Sequence, residues 1–276
     1  MKLVIFGEDA FTAIVLESLI NEGYEILAVF SPIYKNNIYK RLELTCIKNA
    51  ISFELTSDFR SIDFINKIIH LQPDVICICH FQKLISNEII KIPKFGCLNL
   101  HPSLLPEYRG MAPQHWPIIN GENKTGITVH FVDDGIDTGN IIVQKELDIK
   151  SSEYVFELQN RFKEVYKYIF AEALRKIEKT DLHVVQSHLP GSYYGRLKLS
   201  DCIIKDNMGI ISAYNLIRGV SYPYFGARYK DHIFWKAELF STDISKEIKF
   251  EIKDKEGYLF LKDGILKITK LEKYER

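Results

Sequence analysis

Asn99, His101 and Asp137 are the residues of this 276-residue chain whose types and spacing suit chemistry at a carbonyl. Asn99 and His101 stand two apart in "GCLNLH", a strand-like run, so their side chains point to the same side. Pro102 follows at once and holds the histidine's backbone extended. Asp137 lies thirty-six positions after His101 in "DDGIDTG", a turn just before another strand. An amide, an imidazole and a carboxylate gathered at strand ends suit acyl transfer to an amine. The amide donates to a developing oxyanion. The imidazole moves a proton, and the carboxylate orients and charge-balances it. No covalent nucleophile accompanies them, because Ser103 sits in a proline-flanked turn and Gly-x-Ser-x-Gly is absent. The acceptor amine then attacks directly. Residue chemistry alone leaves this as one triad among several, since Asn99 equally suits a turn cap and His101 a structural position.

The elements that must position these residues alternate along the chain. "KLVIF" ends at Gly7, Ala10 to Leu19 carries helical periodicity, and "YEILAVFSP" reads as a strand stopped by Pro32. A helix over Ile62 to Leu71 precedes "DVICIC", and a short helix from Ser86 to Ile90 precedes "GCLNLH". "GITVHFV" and "NIIVQKELDI" follow as strands. This order predicts an α/β fold, a Rossmann-like, mostly parallel sheet with helices on both faces. Ligands of such sheets bind at carboxyl ends of strands, where the chain switches direction. Gly7 is not a dinucleotide signature, since "FGEDAFTA" lacks Gly-x-Gly-x-x-Gly and puts acids where a pyrophosphate would approach. Ser152 to Lys179 reads as one long amphipathic helix with Tyr154, Leu158, Phe162, Tyr166, Ile169 and Leu174 on one face. It closes a first domain, 1–185. A smaller domain, 186–276, holds a helix in "ISAYNLIRGV" and three short strands in "IFWKAELF", "EIKFEIKD" and "YLFLKDGILKIT".

Lys+Arg and Asp+Glu both number 36, so the basic excess expected of a dedicated nucleic-acid binder is missing. Cys46, Cys77, Cys79, Cys97 and Cys202 form no regular framework and read as free thiols in a reducing compartment, with "VICICH" as core packing rather than a zinc or redox pair. No signal peptide fits the N-terminus, and no apolar run approaches a membrane span. The expectation is a cytoplasmic protein, with no membrane or nucleic-acid partner and no metal.

"NLHPSLLPEYRGMAPQHW" followed by "NGENKTGITVHFVDDGIDTGNIIVQKELDI" resembles the folate-dependent formyltransferases. That family holds the methionyl-tRNA, glycinamide ribonucleotide and sugar-nucleotide formyltransferases. The Asn-x-His, the Ser-Leu-Leu-Pro and the aspartate thirty-six residues on all match, and the resemblance runs to about residue 235. It implies that Asn99, His101 and Asp137 are catalytic and that 10-formyltetrahydrofolate is the donor. It also implies a pterin pocket made by backbone groups of Phe81, Gln82, Lys83, Leu84 and Ile85, and of Asp133, Asp134, Gly135 and Asp137. "FQKLI" on its own would be a helix start. "YRG" and "APQHW" look like the tRNA and sugar branches, which also share "YYGR", "YNLIRGVSYPYFGA" and "WKA". The tRNA branch carries a longer C-terminal barrel and a basic surface, against which this chain shows a shortened β tail and no net charge. Arg109, Gly110, Tyr194, Arg196, Asp206, Asn215, Arg218 and Tyr222 then fit a nucleotide-sugar pocket, with Arg109 and Arg196 on the diphosphate. The expected acceptor is a UDP-linked 4-amino sugar of cell-surface polysaccharide biosynthesis, and the expected assembly a homodimer.

Overall fold

Leu3 to Phe6 are four consecutive fully buried apolar residues, a run that a strand accommodates when both its faces are covered. The structure, a computed structural model, describes residues 1–179, 186, 190–243, 248–254 and 256–274. The buried run is β1 (Lys2–Gly7), with β2 (Glu25–Pro32), β3 (Phe53–Thr56), β4 (Val75–Cys79) and β5 (Cys97–His101) parallel in one sheet. The two-residue strand β6 (Arg109–Gly110) intervenes before β7 (Lys124–Phe131) and β8 (Ile141–Asp148), giving a seven-stranded order β3-β2-β1-β4-β5-β7-β8. β7 pairs antiparallel with β5, so the sheet changes from parallel to antiparallel at the strand that carries Asn99 and His101. Val4 and Phe6 join Phe64 and Ile68 of α3 (Ile62–Leu71) and Ile89 of α4 (Asn87–Ile90) in one core cluster. Leu3 and Ile5, by alternation, face the other way. Between these, α1 (Ala10–Asn21) follows β1, and α2 (Lys40–Lys48) follows β2. Gly7 must lack a side chain, because a Cβ there would run into Thr12 of α1.

Chain contacts divide the molecule into two compact units. The first is Met1–Arg109, Gly126–Glu146 and Phe162–Ser192, and the second is Gly110–Thr125, Leu147–Arg161 and Tyr193–Arg276. Residue 185, where the sequence suggests a boundary, lies outside the described residues.

The structure departs from the sequence reading in three elements. Ser152 to Lys179 is not one helix but α6 (Val155–Tyr166) and α7 (Ile169–Glu178), after α5 (Trp116–Ile119). Tyr168 leaves helical geometry at φ −142°, and the Lys167 carbonyl accepts from Ser18 Oγ instead of continuing the helical ladder. No glycine or proline marks that break. "FQKLI" begins no helix; it is irregular chain up to Ser86, which precedes α4. In the second unit, after the two-residue β9 (Tyr193–Tyr194), five strands rather than three form the sheet β10-β11-β14-β13-β12. These are β10 (Ala227–Tyr229), β11 (His232–Ser241), β12 (Lys249–Lys253), β13 (Glu256–Leu261) and β14 (Gly264–Lys273). "YLFLKDGILKIT" folds back at Lys262-Asp263, and α8 (Ile210–Val220) packs its buried side, Ala213, Leu216 and Ile217, into the same core. β3 is a four-residue edge strand without a fully buried residue.

His115, also in the second unit, is 4% exposed, and its Nδ1 donates to the Gly219 carbonyl at 2.8 Å. Burial drives its pKa from 6.5 down to about 4, against the pull of that carbonyl. Between those values the unfolded chain binds the proton and the folded one does not. The contribution is therefore complete above the unfolded pKa and lost as pH falls toward the folded one. At about 1.4 kcal/mol per unit the loss approaches roughly 3 kcal/mol. Urea unfolding at about pH 7.5 and about pH 4.5 should show this loss, and His115→Gln should lack its share of it.

Candidate active site

Within the first unit, Asn99 lies in the middle of β5, and the loop after β7 folds back across that strand. Asn99 Nδ2 donates to Asp137 Oδ1 at 3.2 Å, and His101 Nδ1 lies 3.5 Å from Asp137 Oδ2. One carboxylate thus holds Asn99 and stands beside His101, and Asn99 is not a turn cap. The loop is fixed from within: Asp133 Oδ1 accepts from the Gly135 amide at 3.1 Å and from Thr138 Oγ1 at 2.6 Å. Asp137 itself takes the left-handed conformation, φ 54°, which aspartate tolerates better than most residues.

The proline-bounded stretch after His101 sets the histidine's tautomer. Thr128 Oγ1 donates to the Ser103 carbonyl at 2.7 Å, and Gln144 Nε2 to the Leu105 carbonyl at 2.9 Å. The Tyr108 amide donates to Ser192 Oγ at 2.9 Å, and Tyr108, at φ 61°, turns its carbonyl toward His101 Nε2 at 2.8 Å. A carbonyl only accepts, so Nε2 carries the hydrogen and Nδ1 presents its lone pair toward Asp137. Burial pulls the His101 pKa below its ordinary value; Asp137 and the Tyr108 carbonyl push it up, while His130 and His80 add to the lowering. A neutral imidazole with a bare nitrogen beside a carboxylate is the resting state of a base.

His130 is the residue that sequence reasoning missed. It sits opposite Asn99 in the β5–β7 ladder, and its Nε2 accepts from Asn99 Nδ2 at 3.2 Å. Its Nδ1 lies 2.7 Å from the Phe131 carbonyl, which fixes the complementary tautomer. A histidine in the mostly apolar "GITVHFV" was the available signal, because a 2% exposed imidazole needs partners.

The two loops expected to hold a pterin are irregular. Phe81 packs on Phe6 and Phe59 at 5.5 and 5.0 Å between ring centres, while Gln82, Lys83 and Leu84 are exposed and Ile85 half-buried. Asp133, Asp134 and Gly135 are exposed, and the Asp133 carboxylate is used inside its own loop. This donor set, main chain with side chains turned elsewhere, fits a pterin edge, whose ring nitrogens and carbonyl pair with amide groups.

The residues expected around the acceptor are dispersed. In the first unit Arg109 Nη2 lies 3.3 Å from Gln186 Oε1. In the second, Gly110 is at φ 94°, and a Cβ there would run into the Tyr194 carbonyl. Tyr194 lies 5.0 Å from Trp116 at an interplanar 31°, and its hydroxyl accepts from Asn120 Nδ2 at 2.7 Å. Arg196 and Asp206 are exposed, and Tyr222 is 65% exposed. Asn215 and Arg218 do not face an open pocket. Arg218 is 4% exposed and donates to Asn215 Oδ1 at 2.6 Å, to the Glu153 carbonyl at 2.8 Å and to the Lys150 carbonyl at 3.3 Å. That is an internal brace, and nothing in "NLIRGV" marks the arginine as buried. Arg218→Met should cost about 2–4 kcal/mol in urea unfolding, because buried acceptors lose their donors.

The family model for formyl transferases matches residues 1–174. Methionyl-tRNA formyltransferase of Clostridioides difficile (strain 630) is 35% identical over 258 residues, covering 90% of this chain and 84% of that protein. A solved N-formyltransferase from Helicobacter canadensis, in complex with folinic acid and dTDP-3-aminofucose, superposes with a TM-score of 0.79 at 22% identity. It covers 99% of this chain and 100% of that one. WlaRD, a sugar 3N-formyl transferase solved with dTDP and 5-N-formyl-THF, gives 0.76 at 22% identity over 98% of both chains.

Proposed function

This chain belongs to the formyl transferase family, and from that premise we propose that it formylates the amino group of a nucleotide-linked sugar. It is a folate-dependent N-formyltransferase, with 10-formyltetrahydrofolate as co-substrate. The observation that carries the reaction is the placement of one carboxylate, Asp137, as acceptor for the Asn99 amide and 3.5 Å from the bare nitrogen of His101, where it meets the imidazolium once a proton is taken up.

Bound on the loops Phe81–Ile85 and Asp133–Asp137, the donor supplies an activated formyl carbon. The acceptor nitrogen bonds to that carbon, the bond from carbon to the folate nitrogen breaks, and one proton passes from the amine to that nitrogen. Asn99 directs its amide hydrogens at the carbonyl oxygen. In the chain alone both are given to His130 and Asp137, so the amide is held in place and releases one hydrogen bond as charge develops. His101 takes the amine proton on Nδ1, and Asp137 balances the imidazolium.

The sugar acceptor is supported by the two solved neighbours described with nucleotide or nucleotide-sugar ligands, which match over nearly all of both chains. The acceptor we propose is a UDP-linked 4-amino sugar, with Arg196 at the diphosphate and Tyr194 and Tyr222 as aromatic contacts. We place the reaction in the cytoplasm, carried out by a homodimer. One second reading, formylation of methionyl-tRNA, is favoured by the 35% identity to the clostridial enzyme. Assaying formyl transfer to amino-sugar nucleotides and to methionyl-tRNA side by side separates the two.

A further inference from the structure

β1 passes its chain to β2 on one side, while β4 passes its chain to β5 on the other, so the connections leaving these two adjacent strands diverge. Such a divergence opens a crevice at the carboxyl ends. Three ionisable side chains line this one, Glu8 and Asp9 leaving β1 and His80 leaving β4, and the transfer step above uses none of them. We propose that Glu8, Asp9 and His80 are positioning residues that hold the loop Phe81–Ile85 in its donor-binding shape. The proposal rests on the reading that this loop carries the pterin.

His80 is in the left-handed conformation, φ 46°, which costs a histidine energy and persists only when its surroundings hold it. Its Nδ1 lies 3.0 Å from Asp9 Oδ2, its Nε2 lies 3.0 Å from the Tyr166 hydroxyl, and its ring stacks on Phe11 at 4.7 Å. The strand end just before it is held as well, by Thr12 Oγ1 donating to the Cys79 carbonyl at 2.9 Å. Two residues on, the Gln82 amide donates to Glu8 Oε2 at 3.3 Å, and the same carboxylate accepts from the Tyr34 hydroxyl at 2.6 Å. Lys83 and Leu84 project to solvent, so the loop is gripped at residues 80 to 82.

Capping of α1 does not account for the whole arrangement. Asp9 Oδ1 serves the cap, accepting from the Phe11 and Thr12 amides at 2.9 and 3.0 Å, while Oδ2 is turned to His80. Glu8 caps nothing, yet it is 2% exposed, an expensive placement for a carboxylate that its donors from Tyr34 and Gln82 offset. Asp9→Asn separates the roles, since asparagine caps a helix as well as aspartate but carries no charge. His80→Asn removes the imidazole with a residue that tolerates the left-handed region.

Folinic acid binding, by calorimetry, and steady-state kinetics test the assignment. Asp9→Asn and His80→Asn should each raise the folinic acid Kd and the donor KM about tenfold. The acceptor KM and kcat at saturating donor should stay within about twofold. Glu8→Ala should behave likewise, and Glu8→Gln, which keeps an acceptor for the Gln82 amide, should recover most of the affinity. Unchanged folinic acid affinity in all three variants, or an equal loss in donor KM, acceptor KM and kcat, overturns the positioning role. A wild-type chain that does not bind folinic acid removes the donor-loop reading and this proposal with it. That result is distinct from variants that bind like wild type.

Discussion

Asn99→Ala, His101→Ala and Asp137→Asn should each lower kcat by about 10²–10³ while folinic acid affinity changes little. At φ 54° an alanine adds backbone strain, whereas asparagine keeps the turn and removes only the charge. In Asp137→Asn the imidazolium loses its balancing carboxylate, while an amide oxygen remains to accept from Asn99. Losses in double variants should fall well short of the product of the single ones, since the three side chains act through one carboxylate. The pH profile carries a second readout. With the His101 pKa held below its ordinary value by burial, the imidazole is a free base at neutral pH. The acid limb of kcat should therefore lie below about 6.5, and the amine should govern the rise above it. Near-normal turnover in Asp137→Asn would sink the assignment, and so would a labelled formyl group found covalently on the protein after incubation with donor alone.

The pairing of Asn99 with His101 was legible from local rules, whereas Asp137 joined them through the family resemblance. Residues two apart on a strand share a side, and a proline after the histidine holds it extended. His130 was not legible, because its relation to Asn99 is a cross-strand pairing, Asn99 opposite His130, that exists only once β5 and β7 lie side by side. The Tyr108 carbonyl that sets the His101 tautomer was hidden for a similar reason. Its direction comes from a left-handed residue and from the anchoring of the proline loop to Thr128, Gln144 and Ser192.

The sheet followed from alternating apolar runs and helical periodicity, including the strands β4 and β5 and helix α3. The break between α6 and α7 was invisible because it coincides with a tertiary contact, Ser18 on the Lys167 carbonyl, and not with a glycine or proline. Arg218 shows the opposite failure. Arginine forks match phosphate oxygens, but a fork also matches backbone carbonyls, and here the Lys150 and Glu153 carbonyls and Asn215 take it. The sequence reading placed Arg218 in the acceptor pocket, and the fold uses its bonding capacity internally instead.

UDP-linked 4-amino sugars should be formylated with ordinary enzyme efficiency, and initiator methionyl-tRNA should not. A tRNA is a polyanion, and an enzyme that binds it through many phosphates shows affinity falling steeply with salt. This chain's 36 basic and 36 acidic residues cancel, which leaves no general field to draw a polyanion in. A nucleotide sugar asks for less: a cation or two for the diphosphate and an aromatic surface for the base. The second unit contains such a surface in the Trp116–Tyr194 pair, with Asn120 on the tyrosine hydroxyl, and Arg196 is exposed in the same unit. Free UDP should compete with the acceptor, and Arg196→Ala should raise the acceptor KM about tenfold by removing a charge-assisted hydrogen bond. The donor KM should not move. Acceptor KM should also depend only weakly on salt, because few charges are matched. A panel that includes dTDP-linked 3-amino sugars decides the finer point, since exclusive turnover of those would replace the nucleotide and amine position while keeping the sugar. Efficient formylation of methionyl-tRNA with a steep salt dependence, and none of any amino-sugar nucleotide, would overturn the acceptor and leave the transfer chemistry in place.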